Sequence, residues 1–258
     1  MPRVSIVIST FNRSALLERT LESIYAQQYR DFEVIVVDDG NDGDLTTDAC
    51  RRFDVRYFKR YDRPSLIYSN PAIPNNIGVR KALGEVVILQ NAECSHASEE
   101  LILNLANAVG ENDAVFAAVA SLGIGGQFQG YYCHPVKRPA PYFFCGALKK
   151  KWFEDLRGFD EDYTGYGYDD DDFADRLMQS GVNILFTDTV MAYHQWHTPT
   201  SFNPELDPRQ AYNKKLYEEK TLAMSRGEIG PIRNLGRDWG VHRASPIVPA
   251  SAHLSATT

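Results

Sequence analysis

The chain has 258 residues, 43% of them hydrophobic, and its 27 basic and 34 acidic side chains give a formal net charge of −7. These values are typical of a soluble globular protein and exclude a disordered or collagen-like chain. The longest apolar run, Ala114–Ala120, is far shorter than the ~20 residues of a membrane-spanning helix, so we expect no transmembrane segment. The acidic balance argues against a nucleic-acid partner, because a phosphate backbone requires a concentrated basic surface.

The N-terminus and the cysteines give an expectation about the compartment. The first residues lead directly into the apolar segment Val4–Ile8, without the apolar stretch and cleavage site of a signal peptide, and we therefore expect a cytoplasmic protein. The cysteines lack C-x-x-C spacing, which indicates neither a zinc knuckle nor a disulfide framework. We expect four reduced core residues, namely Cys50, Cys94, Cys133 and Cys145.

The first 120 residues alternate between apolar strands and amphipathic helices. Nearly continuous apolar runs predict strands buried on both faces of a parallel sheet, and apolar residues at helical spacing predict the helices between them. The predicted elements are, in order, a strand Val4–Ile8, a helix capped by Ser14, strands Phe32–Val37 and near Val55–Phe58, a helix from about Asn76 to Leu83, a strand Glu85–Leu89, a helix from Ser98 to Val109 and a strand Ala114–Ala120. This alternation predicts an α/β fold with a Rossmann-like, mainly parallel sheet flanked by helices.

The remaining residues predict a less regular half. The segment from Leu122 to Pro141 is rich in Gly, Pro and aromatic residues, and we expect an irregular, mobile loop there. The predicted elements that follow are a helix Lys149–Leu156, a helix that begins in the Asp169–Asp172 run and ends at Gly181, short strands Ile184–Phe186 and Val190–Tyr193, and a charged helix Pro208–Ser225. The last residues, 226–258, lack periodicity and predict a loosely packed tail.

Polar side chains follow three of the predicted parallel strands. They are Thr10–Arg13, Asp38–Gly40 and Asn91–Glu93. Asp, Asn and Gly are also ordinary turn residues, so one such group alone would be weak support for a site. Because ligands of open parallel sheets bind beyond the carboxyl ends of the strands, the recurrence of polar groups predicts a binding site at that edge.

Four segments together resemble the inverting, nucleotide-sugar-dependent glycosyltransferases of family 2, which have the GT-A fold. They read VSIVISTFNR (Val4–Arg13), VIVVDDG (Val34–Gly40), NIGVRKALGEVVILQNAE (Asn76–Glu93) and GFDEDYTGYGYDDDDFADRL (Gly158–Leu177). The last segment is also similar to the C-terminal motif of galactosyltransferases. The resemblance covers about Val4–His197. It implies a single catalytic domain of residues 1–225, with a nucleotide-binding half at about 1–120 and an acceptor-binding half at about 121–200, followed by the tail 226–258.

The resemblance also implies a reaction and a donor site. A sugar would be transferred from a nucleoside diphosphate sugar, most commonly a UDP-sugar, to a hydroxyl of a saccharide, protein or other acceptor. The configuration of the anomeric carbon would be inverted. Thr10, Asn12 and Asp39 would line the nucleoside pocket, with Asp39 addressing the base or the ribose. Arg80 would approach the diphosphate.

The metal motif departs from the family pattern. The family has Asp-x-Asp, whereas this sequence reads Asn91-Ala92-Glu93, so Glu93 keeps a carboxylate and Asn91 supplies only a neutral amide oxygen at the nucleotide. A cation such as Mn²⁺ or Mg²⁺ accepts oxygen and imidazole ligands, so a divalent-metal site at Glu93 is feasible. By the resemblance, His194 is the expected further ligand because it directly follows an apolar strand, and His197 is the alternative metal ligand.

Four consecutive aspartates, Asp169–Asp172, repel one another and need compensation. A helix N-terminus stabilises each carboxylate of its first turn by ~0.3–1 kcal/mol, and helical geometry directs the four side chains to different faces. We expect at least one to face the site and others to face solvent. By the resemblance, Asp170 is the catalytic base and Asp169 occupies the position of the family's glutamate. Tyr166 and Tyr168, directly before the aspartates, are candidates for contact with the acceptor.

Two other classes of α/β protein lack their sequence motifs in this chain, and two alternative functions remain open. The first strand–helix turn lacks G-x-G-x-x-G, which argues against a nicotinamide-dependent dehydrogenase, and the chain lacks the G-x-x-x-x-G-K-[ST] of P-loop kinases. One open alternative is a nucleotidyltransferase of similar fold, which would release pyrophosphate. The other is a non-catalytic nucleotide-sugar-binding module, in which Asn91 marks a decayed metal site.

Overall fold

The computed structural model describes residues 1–40, 45–62, 70–198, 208–242 and 244–247. The strands in these ranges are β1 (Val4–Thr10), β2 (Phe32–Asp38), β3 (Val55–Arg60), β4 (Val86–Asn91), β5 (Cys94–His96), β6 (Asp113–Leu122), β7 (Phe128–Cys133), β8 (Cys145–Lys149), β9 (Asn183–His194) and β10 (Ala244–Ile247). The helices are α1 (Ser14–Tyr25), α2 (Leu45–Arg51), α3 (Ala72–Lys81), α4 (Leu101–Ala108), α5 (Lys150–Leu156), α6 (Asp169–Gln179) and α7 (Pro208–Ser225).

The strands form one sheet in the order β10–β3–β2–β1–β4–β8–β6–β9–β5, with β7 paired to β6. Strands β3, β2, β1 and β4 are parallel neighbours, in a register that pairs Val4 with both Phe32 and Val86. The direction reverses at β8, and β6 and β9 then run parallel to each other. The predicted α/β fold, a sheet flanked by helices, is confirmed.

The core explains why the central strands are so apolar. Helices cover the sheet, so side chains on both faces of β1, such as Val7 and Ile8, are fully buried. Helix α1 contributes one apolar face, with Leu17 and Leu21 at 0% exposure, and each fully buried leucine of this kind contributes roughly 1.5–3 kcal/mol. Ser14 is the first helical residue rather than the predicted cap, because Arg13 occupies the cap position.

Three other predictions about elements need correction. The segment expected to be an irregular loop contains β7, which pairs antiparallel with β6. The two short strands expected within 184–193 are one strand, β9, with an irregularity where its pairing with β6 shifts between Ala117 and Ala118. Ser98 does not cap α4, which begins at Leu101; its hydroxyl accepts a hydrogen bond from the Met191 backbone at 3.0 Å.

The C-terminal segment packs more closely than the sequence predicts. Within residues 226–242, Arg233, Asn234 and Trp239 are buried, while most of their neighbours are exposed. Residues 248–258 lie outside the described ranges. All four cysteines are buried and free, as expected. In the described ranges, we find no helix whose length and apolarity would let it span a membrane.

Candidate active site

A cavity of about 550 Å³ opens beyond the carboxyl ends of β1, β2 and β4. Its lining combines residues that are far apart in the chain, as a site built on successive strand ends requires. Nine predicted site residues line it, namely Thr10, Asp39, Asn91, Glu93, Tyr166, Tyr168, Asp169, Asp170 and His194, together with the alternative ligand His197.

The two carboxylates at the end of β2 have different surroundings. Asp38 is fully buried and accepts hydrogen bonds from the Tyr57 hydroxyl at 2.7 Å and the Lys59 ammonium at 2.8 Å. Asp39 lines the cavity, and its Oδ1 accepts a hydrogen bond from Arg60 Nη1 at 3.1 Å. The Thr10 hydroxyl, also at the cavity, is buried without a hydrogen-bond partner among the described residues. Asp38 is therefore structural, and Asp39 and Thr10 are the groups placed to contact a ligand.

Glu93, His194 and His197 form a compact group at the same cavity. The Glu93 Oε1 atom lies 3.6 Å from His194 Nε2 and 3.7 Å from His197 Nε2. One ligand atom from each residue lies within 4.8 Å of the others, which fits a single metal ion. The sequence offered the two histidines as alternatives, whereas the structure brings both to Glu93.

The strand pairing explains how these residues meet. β5 runs antiparallel to β9, and Cys94 pairs with His194. Beyond this pair, the Gln195 amide donates to the Glu93 carbonyl at 2.9 Å. The Gln195 side chain donates to the Leu16 carbonyl at 3.1 Å, which fixes the segment between the histidines against α1.

The electrostatics of the group favour an ionised glutamate. Burial alone would raise the pKa of Glu93, but the adjacent His194 and His197 imidazoles and the guanidinium of Arg13 lower this pKa below its ordinary value. Burial lowers the pKa of His197, which favours its neutral form. A charged carboxylate and a neutral imidazole are the forms that bind metal ions.

Asp170 and Asp169 lie at the start of α6 and both line the cavity. Burial, followed by repulsion from Asp169 and Asp171, raises the pKa of Asp170 well above its ordinary value, although the Phe143 backbone amide partly offsets this by hydrogen bonding. Burial raises the pKa of Asp169 to about 6, and its Oδ1 accepts a hydrogen bond from Asn70 at 2.9 Å. A carboxylate with a raised pKa is a better proton acceptor near neutral pH.

The other two aspartates of the run have separate roles. Asp171 lines the cavity, whereas Asp172 is buried beneath it. Asp172 accepts hydrogen bonds from Arg176 Nε at 2.7 Å and from Arg233 Nη2 at 3.2 Å. The expectation that the remaining aspartates face solvent therefore does not hold for Asp172, whose charge is balanced by buried guanidinium groups.

The structure does not place two of the predicted residues at the cavity. Arg80 lies at the end of α3, with Nη2 3.4 Å from Asp238 and its guanidinium 5.2 Å from the ring centre of Trp239. Arg80 thus packs against the C-terminal segment. This position corrects the expectation that Arg80 approaches the diphosphate of the donor. Asn12, with φ of 52°, is exposed and lies directly against Gly40, and it is not among the residues that line the cavity.

Several lining residues were missed by the sequence analysis. Arg13 lies at the cavity with Nη2 3.2 Å from His197 Nδ1, and its position in the polar group after β1 could have indicated this. Tyr132 and Phe144 form an aromatic wall, with ring centres 4.6 and 5.4 Å from that of His194. Gln210, from α7, also lines the cavity. Tyr132 and Phe144 belong to a stretch rich in aromatic residues, whose members are interpreted from the sequence mostly as packing residues, and Gln210 belongs to a helix expected to lie on the surface.

A mixed sheet with carboxylates and histidines gathered beyond its strand ends defines a domain of the GT-A type. The chain belongs to the family described as glycosyl transferase family 2, whose sequence model matches residues 5–166.

Curated relatives come from several bacteria. The chondroitin synthase of Pasteurella multocida (strain Pm70) is 25% identical over 285 aligned positions, which cover 93% of this chain and 29% of the synthase. The hyaluronan synthase of Pasteurella multocida is 27% identical over 237 positions, which cover 74% of this chain and 24% of the synthase. A GalNAc(5)-diNAcBac-PP-undecaprenol beta-1,3-glucosyltransferase of Campylobacter jejuni is 46% identical over 92 positions, covering 34% of this chain and 28% of that enzyme. This chain therefore spans less than a third of the length of these three relatives.

Solved structures share the fold. The mannosyltransferase PcManGT from Pyrobaculum calidifontis matches with a TM-score of 0.63 at 21% identity, over 86% of this chain and 64% of that chain. Residues 1–349 of S. aureus TarS match with a TM-score of 0.63 at 18% identity, over 86% of this chain and 66% of that chain.

Proposed function

We propose that this chain is a metal-dependent inverting glycosyltransferase that moves a sugar from a nucleoside diphosphate sugar to an acceptor hydroxyl. One observation carries the proposal. The nucleotide candidate Asp39, the possible metal ligands around Glu93, and the carboxylate Asp170 with its raised pKa all line a single cavity. Membership of family 2 supports glycosyl transfer over nucleotidyl transfer or binding alone.

The donor is proposed to be a UDP-sugar. Asp39 would accept hydrogen bonds from the base or the ribose, and Arg60 holds its carboxylate in place. Thr10 has a buried hydroxyl with a free hydrogen-bonding capacity among the described residues, and Asn91 lies at the end of the neighbouring strand. A TarS structure was determined in complex with UDP, and the PcManGT structure with GDP-Man and Mn²⁺, which supports a nucleotide-containing donor for this chain.

The residues around Glu93 fit a divalent cation. One carboxylate oxygen and two imidazole nitrogens form a donor set that Mn²⁺ accepts well and Mg²⁺ less well, and burial of His194 at 7% exposure limits competition from solvent. Glu93, His194 and His197 would hold the ion. The cation would neutralise negative charge on the departing diphosphate. Arg13, next to His197, would add a fixed positive charge on the same side.

Asp170 is proposed to act as the general base. Its carboxylate would take the proton from the acceptor hydroxyl as that oxygen attacks the anomeric carbon from the face opposite the leaving group. One direct displacement inverts the configuration of the anomeric carbon. Tyr166 and Tyr168 would contact the acceptor, because aromatic rings pack against the apolar faces of sugars while their hydroxyls form hydrogen bonds. Asp169 would remain a neighbouring, largely buried carboxyl group.

The test is a panel of UDP- and GDP-sugars with Mn²⁺ or Mg²⁺ and a set of 4-nitrophenyl glycosides as acceptors. We expect one nucleoside diphosphate to be released, with a glycoside product whose anomeric configuration, read by NMR, is opposite to that of the donor. Asp170→Asn should bind UDP with unchanged affinity and lose transfer, while the nearby surface variant Lys214→Ala serves as the matched control. Formation of the nucleoside triphosphate and a sugar 1-phosphate when pyrophosphate is added to the donor would instead identify a nucleotidyltransferase. Tight donor binding without turnover would identify a binding module, and either result refutes the proposal.

A further inference from the structure

Helix α7 docks on the rest of the protein mainly through polar contacts. Within this helix, which is described throughout, Asn213 and Met224 are the buried residues. The side chains of Asn213, Tyr217 and Lys220 lie on one face, at spacings of four and three residues. The Tyr217 hydroxyl donates to Asp175 of α6 at 2.7 Å, and Lys220 donates to Asp160 at 2.5 Å. Polar contacts therefore accompany the apolar burial of Met224 in holding this helix.

Asn213 forms hydrogen bonds to the segment directly before the aspartates. We name residues 164–168 the acceptor loop. The Thr164 amide donates to Asn213 Oδ1 at 3.1 Å, and Asn213 Nδ2 lies 3.3 Å from the Tyr166 carbonyl and 3.1 Å from the Gly167 carbonyl. The side chain is fully buried, so water cannot replace these bonds easily. One residue of α7 thus binds three backbone groups of the loop.

The acceptor loop has a backbone that needs such support. Gly167 and Tyr168 have φ of 75° and 70°, and the left-handed region is strained for a residue with a Cβ atom such as tyrosine. Such conformations persist when surrounding contacts hold them. On the opposite side, Asn70 Nδ2 donates to the Gly165 carbonyl at 2.8 Å. A Cβ atom at Gly165 would lie 2.5 Å from the Arg209 Cβ, so glycine permits the close approach of α7.

We propose that Asn213 is a positioning residue for the acceptor in glycosyl transfer. It acts through the acceptor loop, by fixing the backbone on which Tyr166 and Tyr168 face the cavity. Gln210, one turn earlier on α7, lies in the cavity wall itself, so the same helix borders the space that the acceptor would fill. Asn213 lies beyond residues 5–166, the part of the chain that matches the family. The inference rests on the proposed function of the cavity.

The test compares Asn213→Ala and the isosteric Asn213→Asp with two controls on α7. Asn213→Asp keeps an acceptor for the Thr164 amide but places a carboxylate against two carbonyl groups. Lys214→Ala changes an exposed neighbour. Tyr217→Phe removes a hydrogen bond between α7 and α6 but keeps the ring whose centre lies 5.6 Å from that of Tyr168. For each protein we would measure transfer to the 4-nitrophenyl glycoside that the wild-type protein glycosylates, hydrolysis of the donor by water, the Kd of UDP with Mn²⁺, and hydrogen exchange of residues 164–168.

Both Asn213 variants should lose about 10- to 100-fold in kcat/KM for the acceptor, because a displacement of about 1 Å in a positioning group costs this much. Donor hydrolysis and the Kd of UDP should stay within about twofold of wild type, since water needs no contact with the tyrosines. Hydrogen exchange should accelerate within the acceptor loop. The two controls should retain transfer.

Two outcomes would overturn the proposal. One is transfer by both Asn213 variants at the wild-type rate, and the other is an equal loss of hydrolysis and transfer, which would indicate general damage to the site. A wild-type protein that catalyses neither reaction would remove the proposed function itself. In that case, hydrogen exchange in the variants still shows separately whether Asn213 holds the loop.

Discussion

Asparagine substitutions at Asp172 and Asp170, two positions apart on α6, should have opposite effects. Asp172 is 1% exposed and bonds to the guanidinium groups of Arg176 and Arg233. Asp170 has no such cationic partner in the described residues, and its carboxylate faces the cavity with a raised pKa. We expect Asp172→Asn to lower stability with a modest effect on catalysis, and Asp170→Asn to lower the rate of transfer strongly without lowering stability.

The size of the stability loss follows from the surroundings of Asp172. Its removal leaves Arg176, at 0% exposure, without a carboxylate, although the Gly158 carbonyl still accepts from Nη2 at 3.0 Å. Loss of one partner from a buried ion pair costs about 3–5 kcal/mol. A chain of this length loses about 2 °C in Tm per kcal/mol, so Tm should fall by roughly 6–10 °C.

The expected change in stability has the opposite sign for Asp170→Asn. Its pKa is raised in the folded protein, so its ionisation destabilises the fold as pH rises from the ordinary carboxyl range toward the folded pKa. Asparagine is neutral at every pH and removes this penalty. The Tm of Asp170→Asn at pH 7 should equal or exceed that of wild type, while transfer falls by about 10²-fold or more because the base is lost.

Differential scanning calorimetry and the transfer assay would be run on both variants at pH 7. Equal losses of Tm in the two proteins would show that Asp170 is structural. A stable Asp172→Asn protein that has lost transfer would show that the buried ion pair is misassigned and that Asp172 belongs to the chemistry.

Three further predictions concern other parts of the chain. Asp39→Asn should weaken UDP binding about tenfold in calorimetry, since a hydrogen bond to a charged group is lost; unchanged affinity would remove Asp39 from the donor site. Glu93→Gln should bind UDP equally well with Mn²⁺ and with a chelator, whereas wild type should bind more tightly with Mn²⁺. His242 donates to Glu161 at 3.0 Å, and this bond raises the pKa of the imidazole above its ordinary 6.5. Its stabilising effect is therefore full below pH 6.5 and is lost as pH rises through the folded pKa, so the Tm advantage of wild type over His242→Gln should shrink from pH 6 to pH 9.

The part of the cavity beyond the strand ends could be predicted from the sequence because its signals are local. Apolar runs identify the parallel strands, and the polar residues that follow each run must lie at one edge of the sheet. Asp39, Asn91 and Glu93 reach the cavity for this reason. The two histidines needed one more fact, the pairing of β5 with β9, which sequence spacing does not contain.

The features that the sequence did not predict depend on contacts between distant parts of the chain. Arg80 belongs to a recognisable segment, but its helix points its last turn away from the cavity, toward a C-terminal segment with no periodic pattern. Trp239 and Arg233 are buried there through contacts with residues far away in the chain. The burial of Asp172 in an ion pair could likewise not be predicted from the sequence, because its second cationic partner, Arg233, lies 61 positions later.

The two ends of the cavity thus differ in how they are held. Glu93 and Asp39 follow strands whose neighbours are fixed by backbone pairing and apolar packing on both faces. The acceptor loop is instead held largely by side-chain hydrogen bonds from Asn213 and Asn70. Each such bond contributes only about 0.5–1.5 kcal/mol net. A change in α7 can therefore alter the position of the acceptor loop at small cost to the fold, while the part of the cavity beyond the strand ends keeps its geometry. The residues proposed to contact the acceptor are thus held in a different way from those proposed to bind the donor.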